Sequence, residues 1–151
     1  DVIFDLMIHD IDIVMSLIKA KIKKISAFGK KILTSSIDIA NVRLEFENSC
    51  VANLTASRIS QKNERKLRIF EKNTYLSVDF MNHNINKFMK NTSKSKDLFK
   101  SKQFKFKKSD ALRNEINNFI KSCLGKEYPK VSGMDGKNAI IIASMISSKL
   151  K

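Results

Sequence analysis

Residues 40–58, ANVRLEFENSCVANLTASR, carry the pattern that decides the fold. Apolar and polar residues alternate on both sides of the polar triplet 47–49, and a period of two residues is typical of strands with one buried face. The side chains on the predicted buried face are Ala40, Val42, Leu44, Phe46, Cys50, Ala52, Leu54 and Ala56. The stretch therefore predicts an antiparallel hairpin whose other face is more polar.

Further strands are predicted on both sides of this hairpin. Residues 21–31 precede it, and ERKLRIFE (64–71) and TYLSVDF (74–80) follow it. Strands that succeed one another across short polar turns form an antiparallel meander, because a parallel pair requires a long crossover connection. One face of the predicted sheet is apolar and requires helices over it, whereas the other face is semi-polar.

The composition changes at residues 82–108, which are rich in Asn, Lys and Ser. This composition predicts a long variable loop with at most one short strand, at residues 103–107. Lysines interleaved with phenylalanines also occur where single-stranded nucleic acid stacks on aromatic rings. We favour a solvated loop whose phenylalanines fold back onto the domain.

Two helices are predicted after this segment. Ser109 or Asp110 caps the first, which ends at Gly125. Its apolar face carries Leu112, Ile116, Phe119, Ile120 and Cys123. Ser132 and Asp135 have the spacing of a capping box, which starts a last helix over about 134–150. This helix is predicted to bury Ala139, Ile140, Ile142, Ala143, Ile146 and Leu150.

The order of elements predicts an α+β fold, with an open, largely antiparallel β-sheet and helices packed on one face. At 151 residues the chain has the length of one ordinary domain, so residues 1–151 are predicted to form a single domain. The sequence starts at Asp1 rather than Met, so we expect it to be part of a longer protein.

The first twenty residues, DVIFDLMIHDIDIVMSLIKA, predict a helix that is apolar almost all round and therefore packed against several neighbours. Asp5, His9, Asp12 and Ser16 follow the spacing i, i+4, i+7, i+11 and share one side of it. Unpaired charges are costly to bury, so we expect the residues of this polar stripe either to be paired or to form a functional site. An aspartate one turn before a histidine can orient the imidazole for general-base catalysis. A histidine hydrogen-bonded in the core is the alternative.

The net charge of +14 suggests a nucleic-acid partner at first sight. Only 5 of the 29 basic residues are arginine, however. Arginine is the side chain best suited to bidentate hydrogen bonds with base edges and phosphates. The lysines accompany abundant Ile and Asn, as an A/T-rich coding sequence produces. We therefore predict no nucleic-acid partner, while an anionic substrate such as a nucleotide sugar remains compatible with the charge.

Several classes of site and location are excluded by what the sequence lacks. Cys50 and Cys123 have no CxxC context or companion ligands, which predicts free thiols and no metal site. The four glycines form neither GxGxxG nor a P-loop. There is no apolar run of membrane-spanning length and no signal peptide, so we predict a cytoplasmic protein without a membrane partner.

Four stretches, in this order, resemble the C-terminal domain of the glucose–fructose oxidoreductase / inositol dehydrogenase / MocA (Gfo/Idh/MocA) family. They are DLMIHDID (5–12), VRLEFEN (42–48), SRISQKNERKLRIFEKNTYLSVDF (57–80) and YPKVSGMDGKNA (128–139). The Asp-x-x-x-His pair is weak evidence alone, but it becomes specific together with this hairpin and the VSG-x-DG-x-x-A helix start.

The resemblance implies an activity that is shared between a cofactor-binding domain and a substrate-binding domain. In that family an N-terminal Rossmann domain binds NAD or NADP, and a domain of this kind supplies the substrate site and an open sheet used for oligomerisation. The cofactor would thus be bound by an N-terminal domain that is absent from this chain. The family lysine of a Glu-Lys-Pro motif would be absent with it, because the only proline here is Pro129. A homo-oligomer through the open sheet face is implied as well.

The family's catalytic pair falls on Asp5 and His9. The resemblance implies that His9 is the general base that takes a proton from a sugar hydroxyl as hydride leaves the carbon for the nicotinamide. Asp5 would orient His9 or contact the substrate.

The basic strands resemble those of members that act on nucleotide-linked amino sugars. Asp12, Arg58, Arg65 and Arg68 are therefore the candidates for substrate binding, with the arginines meeting a diphosphate, although each arginine could equally be a solvated strand residue. The alternative function is a non-catalytic dimerisation scaffold derived from such an enzyme, and a basic nucleic-acid-binding module is a less favoured one.

Overall fold

The computed structural model describes residues 1–91 and 98–150, and it divides into two compact units. The first consists of Asp1–Gln61 with Tyr128–Lys151, and the second is Lys62–Glu127. Each unit contains its own sheet, and the single domain predicted over residues 1–151 stays a prediction.

The first unit contains a three-stranded antiparallel sheet and two helices. A π-helical segment, Ile3–Met7, leads directly into α1, Ile8–Leu17. The strands are β1, Ile22–Lys30, β2, Ile39–Phe46, and β3, Val51–Ser57, in the order β1-β2-β3. Helix α3, Gly133–Ser147, returns to this unit from the end of the chain. (Helix α2, Ala111–Cys123, belongs to the second unit.)

The predicted hairpin is confirmed with its buried face. Leu44 pairs across the ladder with Ile25 on one side and Ala52 on the other, while Val42 pairs with Leu54. The turn between β2 and β3 passes through Ser49 at φ 65, a left-handed conformation that non-glycine residues adopt only at some cost. The alternation of apolar and polar residues over 40–58 therefore corresponds to the alternation of more buried and more exposed side chains in the sheet.

Helix α3 begins with the predicted capping box. The Ser132 hydroxyl accepts from the Asp135 amide, and the Asp135 carboxylate accepts from the Ser132 amide. Its buried face comprises Ala139, Ile142, Ala143 and Ile146. The predicted burial of Ile140 is wrong, because this residue falls outside the stripe of three- and four-residue spacing and is 54% exposed.

The second unit contains a four-stranded antiparallel meander. Its strands are β4, Lys66–Glu71, β5, Thr74–Asp79, β6, Asn84–Lys90, and β7, Phe99–Lys105, in the order β4-β5-β6-β7. The predicted long loop over residues 82–108 is wrong, since β6 and β7 form a hairpin there. Ile85 pairs with Val78 and with Phe104, so the segment extends the apolar side of the sheet despite its polar composition. Residues 92–97 lie outside the described residues.

Helix α2 is capped as predicted, with the Asp110 carboxylate accepting from the Arg113 amide. None of its residues is buried, and Leu112 and Phe119 on its apolar face are 66% and 68% exposed. No helix among residues 1–91 and 98–150 is long and apolar enough to cross a membrane. The α+β class with antiparallel pairing is confirmed, although the described strands form two sheets rather than the one predicted.

Candidate active site

The first helix starts with a π-helical turn that carries Asp5. The Ile8 amide donates to the carbonyl of Ile3, five residues earlier, instead of four as in an α-helix. This geometry inserts one additional residue into the turn, and such π-helical insertions occur frequently at functional sites. Asp5 therefore lies in a helical turn that is wider than the α-helical turn that follows it.

The first helix is buried on one side only. Ile3, Met7 and Ile11 are fully buried against α3 and the sheet, whereas Phe4 and Leu6 are each 43% exposed. The helix packs against both α3 and β3, as its apolar sequence predicts, but the elements of the first unit cover only one side of it. The uncovered side carries apolar residues beside the predicted catalytic pair.

Asp5 and His9 both lie on accessible surface, with the Asp5 side chain 69% exposed. The His9 side chain makes no hydrogen bond or ion pair with any residue in the described part of the chain, so it is not the hydrogen-bonded core histidine of the alternative interpretation. The partner of Asp5 is Arg58, not His9: Arg58 Nη2 donates to Asp5 Oδ2 at 3.1 Å. The imidazole is thus left open to a ligand.

Arg58 lies between two carboxylates. Besides the contact with Asp5, its Nε lies 4.0 Å from Asp38 Oδ1, and its backbone amide donates to the Asp38 carbonyl at 3.0 Å. The Arg58 side chain is 30% exposed, while Asp38 is fully buried. One end of the guanidinium therefore faces a buried negative charge and the other end faces the exposed Asp5.

Asp38 is a residue of the candidate site that the sequence patterns did not reveal. Its Oδ2 accepts from the amides of Ile32, Leu33 and Thr34 at 2.8–2.9 Å, and its Oδ1 accepts from the Thr34 hydroxyl at 2.7 Å. These hydrogen bonds, that of the Thr34 hydroxyl first, hold the pKa of the Asp38 carboxyl well below its usual range, although burial acts in the opposite direction. The sequence did contain an indication of its burial, because Asp38 is two residues before Ala40 and so continues the alternation of buried residues along β2.

The ionised Asp38 makes the stability of the first unit sensitive to acid. A carboxyl whose pKa is lower in the folded than in the unfolded chain contributes stability above about pH 4, and this contribution is lost as the pH falls further. We expect Asp38→Asn to lower the Tm at pH 7 by about 5 °C or more. Thermal unfolding followed by circular dichroism should show this difference constant from about pH 7 to pH 5 and shrinking below about pH 4. A difference that stays equal at about pH 3 would contradict the assignment.

The remaining candidates for substrate binding are distributed over both units. Asp12 lies on α1 beyond His9 and is half-buried. Arg65 lies over the ring of Phe80, with 5.2 Å between the guanidinium carbon and the ring centroid. Arg68 is exposed on β4. Of the three predicted arginines, the structure brings Arg58 to Asp5, and it places Arg65 and Arg68 in the second unit.

No dinucleotide cradle is formed by residues 1–91 and 98–150. Every strand pairing among these residues is antiparallel, whereas the Gly-rich turn that binds a pyrophosphate connects a strand to a helix in a parallel βαβ unit. The described residues therefore do not form a Rossmann-type site for NAD or NADP. They do fit a polar substrate with hydroxyl groups, which the exposed imidazole of His9, the exposed carboxylate of Asp5 and the guanidinium of Arg58 could orient.

Known proteins are similar to this chain in sequence and in fold. UDP-N-acetylglucosamine 3-dehydrogenase from Acidithiobacillus ferrooxidans is 30% identical over 97% of this chain and 47% of its own length. The solved structure of that enzyme, GnnA, superimposes with a TM-score of 0.91 over 99% of this chain and 49% of the other, also at 30% identity. A levoglucosan dehydrogenase in complex with NADH and levoglucosan, 15% identical, superimposes with a TM-score of 0.79 over 96% of this chain and 46% of the other, and shows the common fold alone.

These matches confirm the resemblance that the four sequence stretches indicated. The chain spans about half the length of the relatives it matches. A family model described as the GFO/IDH/MocA C-terminal domain matches residues 1–76, which include Asp5, His9, Asp38 and Arg58. With half of its residues matching that model and nearly all of it matching GnnA, the chain belongs to the GFO/IDH/MocA C-terminal domain family.

Proposed function

We propose that this chain is the substrate-binding domain of an NAD(P)-dependent oxidoreductase that transfers a hydride at a secondary alcohol of a sugar or nucleotide sugar. UDP-N-acetylglucosamine is the first substrate to test, because a relative with 30% identity over 97% of the chain is named for its oxidation. The observation that carries the proposal is the exposed His9 one turn from an Asp5 that an arginine holds in place.

His9 is the proposed general base. Its imidazole is exposed and makes no hydrogen bond within the described part of the chain, so it can accept a proton from a bound hydroxyl. Asp5, held by Arg58, orients the same hydroxyl or the imidazole. Asp12 and the three arginines Arg58, Arg65 and Arg68 remain the proposed substrate-binding residues. Nη1 of Arg58 donates no hydrogen bond among the described residues.

The hydride acceptor, NAD or NADP, is proposed to bind to a further domain of a longer protein of which this chain is part. The exposed side of the first helix, with Phe4 and Leu6 beside Asp5 and His9, is the proposed surface where that domain and the substrate meet. A homo-oligomer through an open sheet face and a cytoplasmic location remain our predictions for assembly and compartment.

The experiment that tests this function is a spectrophotometric assay of the longer protein. We expect UDP-N-acetylglucosamine with NAD or NADP to produce the absorbance of the reduced cofactor. UDP-glucose and free N-acetylglucosamine serve as matched substrates that lack the acetamido group and the diphosphate, respectively. The 151-residue chain alone is the control and is expected to give no turnover.

The non-catalytic scaffold predicts a different outcome. It predicts that no sugar or nucleotide sugar is oxidised with either cofactor, although the protein folds and self-associates. Oxidation by the 151-residue chain alone would contradict the proposal that the cofactor binds elsewhere.

A further inference from the structure

We infer that Asp38 is a positioning residue, which acts through Arg58 to fix the carboxylate of Asp5 at the site. This role rests on the proposed function. Asp38 does not itself reach the exposed surface, because its side chain is fully buried. Its effect on the reaction must therefore be transmitted by the guanidinium that lies between the two carboxylates.

Asp38 is a rigid anchor. Three backbone amides and one hydroxyl donate to its two carboxylate oxygens, so that neither oxygen can move without loss of hydrogen bonds. The residue directly precedes β2, and Arg58 directly follows β3, which pairs with β2. The hydrogen bond from the Arg58 amide to the Asp38 carbonyl extends this ladder by one pair, so the backbones of the two residues are fixed to each other.

The planar guanidinium transmits this position to Asp5. Its Nε lies 4.0 Å from Asp38 Oδ1, and its Nη2 lies 3.1 Å from Asp5 Oδ2. Because these nitrogens belong to one rigid plane, a restraint on one edge orients the other. An ion pair as exposed as Arg58–Asp5 contributes little order by itself, since solvent screens it and both side chains are flexible. The buried carboxylate supplies the second restraint.

A purely structural role would be the stabilisation of residues 31–37 by the hydrogen bonds of Asp38. The chain offers a matched control in Asp79, whose Oδ1 accepts from the amides of Met81 and Asn82 and whose Oδ2 accepts from the Asn82 side chain. Asp79 therefore accepts from the amides of an adjoining turn as Asp38 does, but no hydrogen bond or ion pair joins it to an arginine among the described residues. Asp79→Asn removes a turn-capping charge without touching an arginine.

The test is a double-mutant cycle on the longer protein with UDP-N-acetylglucosamine as substrate. We expect Asp38→Asn to lower kcat by about 10-fold or more while KM changes less, because a displaced Asp5 affects orientation in the reaction more than substrate affinity. In the Arg58→Ala background the same change should lower kcat by no more than about 2-fold, since the transmitting group is already absent. Asp79→Asn should leave kcat within about 2-fold of the wild-type value.

Two kinetic outcomes would overturn the inference. One is a kcat for Asp38→Asn equal to that of Asp79→Asn. The other is an undiminished effect of Asp38→Asn in the Arg58→Ala background, which would assign the loss to residues 31–37 alone.

A wild-type protein without activity would refute the proposed function but not this inference. The inference is then decided by the exchange of the Arg58 Nε proton with solvent, measured by nuclear magnetic resonance on the same protein. Asp38→Asn should accelerate this exchange by about 10-fold or more, and Asp79→Asn should not. Equal exchange in both variants would overturn the inference independently of catalysis.

Discussion

Replacing His9 by asparagine should reduce the proposed oxidation of UDP-N-acetylglucosamine by the longer protein by about 10²-fold or more. His9 is exposed and without a hydrogen-bonding partner in the described part of the chain, so the substitution removes a base without removing a structural contact. We therefore expect the Tm to stay within about 2 °C of the wild type. The measurement is kcat under saturating substrate, together with thermal unfolding of the same preparation.

His83 provides the matched control, because it is the other histidine of the chain. It lies in the turn before β6 at φ 50, a conformation that asparagine also tolerates. His83→Asn should leave kcat within about 2-fold of wild type, since His83 is neither on the first helix nor among the proposed substrate-binding residues. An undiminished rate in His9→Asn would refute the general-base role and would favour the non-catalytic scaffold.

Replacing Leu44 by alanine is expected to lower the free energy of unfolding by about 2–5 kcal/mol. Leu44 is fully buried on β2, between Ile25 and Ala52 of the neighbouring strands. Its removal leaves a cavity in the core of the unit that carries the candidate site, so both transfer energy and packing are lost. Urea unfolding followed by circular dichroism measures the change.

Leu112→Ala is the matched control for this prediction, since it removes the same atoms from a side chain that is 66% exposed. It should change the free energy of unfolding by no more than about 0.5 kcal/mol. A loss as large as that of Leu44→Ala would mean that the apolar face of α2 is covered in solution.

The hairpin and the helix caps were predictable because their causes are local. A period of two over residues 40–58 can bury only one face of a strand, and β2 and β3 follow it residue by residue. Asp110 and Ser132 each accept from an amide three residues ahead, a contact that depends on the adjacent sequence alone. The candidate pair Asp5 and His9 was indicated by the polar stripe of the first helix, and the family resemblance implied its catalytic role.

The errors have a common cause in contacts that are distant in sequence. The loop predicted over residues 82–108 followed from composition, but β6 gains apolar partners on both sides once Ile85 meets Val78 and Phe104. The first helix is apolar almost all round, yet its exposure depends on how many neighbours reach it, and Leu6 is left 43% exposed.

The sequence by itself determined the strands of the first sheet, the starts of α2 and α3, and the position of Asp5 and His9 one turn apart on one helix. Only the tertiary structure decided which charges meet. Arg58 lies 53 residues from Asp5 along the chain, and the pairing of β2 with β3 brings it beside the buried Asp38. The spacing of apolar residues in the sequence predicts which face of a strand or helix a residue occupies. Which charged residues pair depends on how segments distant in sequence fold onto one another.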